Sequence, residues 1–139
     1  MEKDNSLLYA CYINDMDFID ELINCLNSID YSEFDEEYIY ELLDSRDSDP
    51  FDAEWCRVNK KINSLKNDKN YTNLNKEVQG KIREKVFMII KKNTKSELSD
   101  YVSDDFGLIY DSLIVNYKDE WLNKLIKEYK NRRIPAGEL

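Results

Sequence analysis

Apolar residues recur along most of this chain every three or four positions, the period of a helix with one face turned to a core. From Asp15 to Ile29, Phe18, Ile19, Leu22, Ile23, Leu26 and Ile29 share one face, and Asp17, Asp20, Glu21 and Asn24 lie opposite. Asn14 is placed to cap that helix. The apolar run before it, SLLYACYI at 6–13, fits either a buried strand or the first turn of a longer helix. A second helix is expected from Ser32 to about Arg46, with Ser32 and Asp35 as a variant capping box. Phe34, Tyr38, Ile39, Leu42 and Leu43 form its inward stripe. Asp49 then reads as the cap of a third helix, with Pro50 at its first position. That helix reaches Lys66 through Trp55, Val58, Ile62 and Leu65.

After the polar loop KNDKNYTN (66–73), Val78, Ile82, Val86, Ile89 and Ile90 mark a long helix over about 75–92. A turn at 96–102 leads to Ser103, read as the cap of a helix carrying Phe106, Ile109, Tyr110 and Leu113. The last helix, about 119–131, buries Trp121, Leu122, Leu125, Ile126 and Tyr129, and Pro135 and Gly137 end it. No repeat or linker interrupts the pattern. The expectation is one all-α domain over 1–139, a single-domain bundle of about six or seven helices. Three glycines and two prolines are too few breakers for a turn-rich β fold.

Charge sharpens this picture. The net charge of −9 disfavours nucleic acid and anionic membrane as partners. It is unevenly spread: −15 over residues 1–54, +8 over 55–99 and −2 over 100–139. The first residues, MEKDN, are acidic, and no apolar run reaches the length of a signal or membrane segment. With an odd count of three cysteines and no paired spacing, the expectation is a reduced, cytoplasmic protein whose Cys11, Cys25 and Cys56 are buried structural thiols.

Much chemistry is missing. The absence of histidine removes the commonest general base and most zinc sites. No glycine-rich phosphate loop is present. The acidic run Asp44, Asp47, Asp49, Asp52, Glu54 fails the calcium-loop pattern, because the sixth position from Asp47 is Asp52 where glycine is needed. No nucleophile–base pair can be named, so the chain is expected to be no enzyme and to use no cofactor or metal.

The unusual feature is the second helix. On a helical wheel its outer side carries, in order, Glu36, Asp47, Tyr40, Asp44, Glu37 and Glu41. A solvated face ordinarily mixes cations among its acids, since opposite charges four apart stabilise and like charges do the reverse. Two readings follow. The ridge packs on the chain's own basic segment, especially Lys81, Lys85 and Lys92. Alternatively it meets an external cationic partner, with Tyr40 as an aromatic anchor inside a steering field of carboxylates. On the second reading Glu36, Glu37, Tyr40, Glu41, Asp44 and Asp47 form the contact, with Asp52 and Glu54 at its rim.

The stretch SDDFGLIYDSLIVNYKDEWLNKLIKEYKNRRIP (103–135) resembles the C-terminal part of small bacterial immunity proteins. These neutralise toxins of polymorphic and contact-dependent inhibition systems. The likeness lies in Ser-Asp-Asp-Phe opening a helix, then a Tyr, then a Trp-Leu pair opening the last helix. It implies a cytoplasmic helical protein that binds and blocks one cognate toxin domain; a monomer or weak homodimer is expected. For nuclease toxins it implies an acidic, aromatic-bearing contact such as residues 36–47 offer. The resulting expectation is occlusion of a basic toxin domain, a nuclease by preference, without catalysis. A phage-type acidic DNA mimic acting on a host nuclease or defence complex is the alternative, and a helical adaptor or oligomerisation domain is a third.

Overall fold

A computed structural model describes residues 2–139, with side chains from Asn14 onward. The helices are α1 (Glu2–Asn27), α2 (Glu36–Arg46), α3 (Phe51–Lys66), α4 (Asn73–Thr94), α5 (Leu98–Ile114) and α6 (Glu120–Lys130). No strand occurs among the described residues, so the protein is all-α, as the hydrophobic period predicts.

Helix α5 is the axle of the bundle. Leu98, Val102, Phe106, Leu108, Ile109 and Tyr110 are buried on it, and so are Ser99, Ser103, Asp105, Asp111 and Ser112. A helix covered on nearly all sides must lie in the core. α4 packs along its length, and α1 and α3 close further sides. α6 rests on α1 and buries Trp121, Leu122, Leu125 and Tyr129, with the Trp121 ring against Phe51 of α3 and the Tyr129 ring against Phe106 of α5, while α2 leans on α3. Deletion of one large buried side chain from such a core costs about 2–5 kcal/mol.

Several helix ends differ from expectation. α1 runs through residues 6–13, so that segment is helix, and Asn14 lies inside α1 where no cap is needed. α2 is capped by Asp35, which accepts from Tyr38 N–H at 2.8 Å; Ser32 stays in the preceding turn, its own N–H bonded to Asp30. A carboxylate at the N-cap position leaves the first free N–H groups a stronger acceptor than a hydroxyl three residues earlier. α3 begins at Phe51 with Pro50 as N-cap and no side-chain cap bond, so Asp49 does not cap it. α4 starts two residues early because Thr72 and Asn75 form a reciprocal capping box.

The largest correction concerns Ser103, which is buried inside α5 with its hydroxyl turned back on Asp100 O at 2.9 Å. The turn placed at 96–102 is much shorter. Lys95 ends α4 in the left-handed region (φ 51°), and Ser96 Oγ accepts from Leu98 N–H to start α5. Left-handed Arg132 (φ 60°) likewise stops α6 before Pro135 and Gly137 are reached.

Candidate functional site

Helix α2 holds its acidic side outward because its inner side is anchored three ways. Ile39 and Leu42 are buried in the core. One turn on, at the same spacing, comes Arg46, which is 4 % exposed. Its guanidinium meets Asp105 of α5 through two bonds, Nη1 to Oδ2 at 3.0 Å and Nη2 to Oδ1 at 2.7 Å. Nη1 also donates to Pro135 O at 2.9 Å, tying the chain's last segment to α2. Asp105 is fully buried, and it accepts further from Trp55 Nε1 at 2.9 Å and from Tyr129 Oη. Four donors fill the lone-pair sites of one carboxylate. Burial opposes the Arg46 charge, and the Asp105 charge outweighs it, so the net effect holds the guanidinium pKa above its ordinary value. Burial, reinforced by the Asp105 charge, pushes the Tyr129 hydroxyl well up.

Arg46 is the sole cation of residues 31–55, and it is spent inside the fold. The outer face is left purely acidic. Glu36, Glu37, Glu41 and Asp44 are exposed, and Tyr40, in their midst, is 70 % exposed. No ion pair involves any of these carboxylates among the described residues. Lys81, Lys85 and Lys92 of α4 are also exposed and likewise take part in none of these ion pairs. Charge balance at home through those lysines is therefore not what the geometry contains.

The other anticipated residues divide. Asp47, just past α2, is exposed and accepts from Tyr101 Oη at 2.9 Å, a bond that raises the Tyr101 pKa. Asp52 is exposed on the first turn of α3. Asp47 and Asp52 both line a cleft of about 130 Å3, with Phe51, Trp55 and Tyr101 as its aromatic part. Glu54 turns elsewhere: it pairs with Arg57 at 2.9 Å, and Arg57 also holds Asp119 at 2.9 Å. Its charge is thereby largely used within the protein. The cleft residues Arg46, Trp55, Tyr101 and Asp104 were not anticipated. One signal was available for Arg46, since Ile39, Leu42 and Arg46 keep the helical spacing of the buried stripe. Nothing local could bring Tyr101 and Asp104 to the end of α2.

Among the cysteines, Cys56 is exposed and Cys25 half-buried, which corrects the expectation of buried thiols; the Cys11 side chain lies outside the described residues. The surface of α3 puts Cys56 outward because Trp55, Val58 and Ile62 take the inner positions. Among the described residues no three Cys, Asp or Glu side chains converge to hold a metal ion. No described helix is long and apolar enough to cross a membrane.

The described scaffold is thus all-α, with its one local cation of residues 31–55 spent inside and an acidic, unpaired helix face outside. The chain belongs to the family described as immunity protein PIM1, whose model matches residues 18–136. It is thus an immunity protein, a kind of protein that implies a cognate toxin as partner. The match extends far beyond residues 103–135, taking in α2, α3 and α4 whole. No curated protein and no solved structure matches the chain.

Proposed function

We propose that this immunity protein, acting without catalysis, neutralises a toxin with a basic docking surface by covering its active or substrate-binding site with the outer face of α2. A nuclease toxin is the target class that fits best, because surfaces that bind phosphate backbones are cationic. Glu36, Glu37, Tyr40, Glu41, Asp44 and Asp47 form the contact, with Asp52 at its edge; Glu54, occupied by Arg57, contributes least. The observation that carries this reading is Tyr40, 70 % exposed amid carboxylates that have no cation of their own. An exposed aromatic ring costs free energy in water and repays it when desolvated against a partner. The acidic surround speeds encounter with a basic surface and selects against acidic ones.

The test is calorimetry and stopped-flow binding to the toxin encoded beside this gene. Tyr40→Ala is expected to raise the dissociation rate by roughly 30-fold, the signature of a central anchor. Glu41→Lys is expected to slow association and flatten its salt dependence. Wild-type kinetics in both variants would sink the assignment of this face.

A further inference from the structure

Past the end of α2 the acidic ridge runs into the aromatic cleft between α2, α3 and α5. Arg46 and Phe51 line it, Trp55 and Tyr101 flank it, and Asp47, Asp52 and Asp104 supply its carboxylates. Resting on the reading that a basic toxin meets α2, we infer that this cleft receives one arginine side chain of that toxin.

The charge of the cleft sets the sign of its guest. Arg46 is already cancelled by Asp105, and Asp104 by its ion pair with Arg83. Asp47 and Asp52 then remain, with no cation in contact among the described residues; Asp47 has the Tyr101 hydroxyl, and Asp52 only the Cys56 thiol at 3.9 Å.

The walls set the shape. An arginine stem lies along aromatic faces while its planar head reaches carboxylates in pairs. These aromatic rings already take one such head: the Arg46 guanidinium carbon stands 4.5 Å from the Phe51 ring centre and 5.6 Å from that of Tyr101. An apolar guest would strand the carboxylates out of water, and an acidic one would meet like charge.

The indole N–H of Trp55, which bonds Asp105 beneath the cleft, serves as the reporter. We would titrate the full chain with Nα-acetyl-arginine amide and follow the Trp55 indole resonance, with Trp121 as internal control. Nα-acetyl-glutamine amide and Nα-acetyl-norleucine amide at equal ionic strength are the comparison probes. The expected result is a saturable shift with the arginine probe alone. Asp52→Asn, an exposed position, should weaken that response by about two- to fivefold. Glu84→Gln, exposed on α4 away from the cleft, should leave it unchanged. No saturable shift, an equal shift with the glutamine probe, or equal weakening by Glu84→Gln would each overturn the inference. The titration needs no toxin, so its failure leaves the α2 reading standing. Failure of the Tyr40 and Glu41 variants to alter toxin binding would overturn that reading and leave the titration untouched.

Discussion

Asp105→Asn keeps the volume of a fully buried side chain and removes the charge that cancels Arg46. The structure fixes the expected size. Arg46 is 4 % exposed, so water cannot replace the lost carboxylate, and its guanidinium stays buried and uncompensated. Breaking one partner of such a pair costs about 3–5 kcal/mol. The amide also leaves one oxygen where two oxygens accepted from Trp55 and Tyr129 as well as from Arg46. Over 139 residues the entropy of unfolding is about 0.3 kcal/mol per kelvin. The loss therefore corresponds to a fall in Tm of roughly 10–17 °C. Urea unfolding followed by tryptophan fluorescence, with thermal scans by circular dichroism, measures it directly. A loss below about 1 kcal/mol would refute the view that this pair anchors α2. The double variant Arg46→Met with Asp105→Leu should recover part of the loss, because removing both charges spares the desolvation of either. Recovery stays partial, since the Tyr129 hydroxyl and the Trp55 N–H are then left without their acceptor.

Two further outcomes concern helix physics away from the site. Gly80 lies inside α4 with nothing within 4 Å of an added Cβ, so Gly80→Ala should stabilise by about 1 kcal/mol; an unchanged or lowered urea midpoint would contradict this. Asp119 caps α6 through Leu122 N–H at 3.0 Å and holds Arg57; burial pushes its carboxyl up, but these donors prevail and hold it below its ordinary value. A depressed carboxylate contributes stability that is present above its unfolded pKa and lost as pH falls through its folded value. Asp119→Ala should thus cost about 1 kcal/mol at neutral pH and progressively less as the solution is acidified below the ordinary carboxylate range, and equal costs at both ends would count against the assignment.

The hydrophobic period alone determined that this is a helical protein, and it placed α3, α4 and α6 to within a few residues. Period and cap are local properties, written within one or two turns of the chain. The same locality allowed the outer face of α2 to be read from Glu36 to Asp47 before any fold was known. Errors arose where two local signals competed. Asp35 won the start of α2 over Ser32, and α5 buried Ser103, whose Ser-Asp-Asp sequence looks like a helix opening. A polar residue can sit in the middle of a buried helix when its bonds are met by partners far along the chain, as Asp105 shows.

What only the tertiary structure decided is whether the acidic ridge was free. Charge counts along the chain gave two equal accounts, because Coulomb attraction depends on distance in space and the sequence records only order. Packing of α4 against α5 set Lys81, Lys85 and Lys92 outward, and the Asp105 carboxylate drew Arg46 inward. Folding thus took the one nearby cation away from the ridge and brought Tyr101 and Asp104 up to its end, fifty and more residues away in sequence from Asp47.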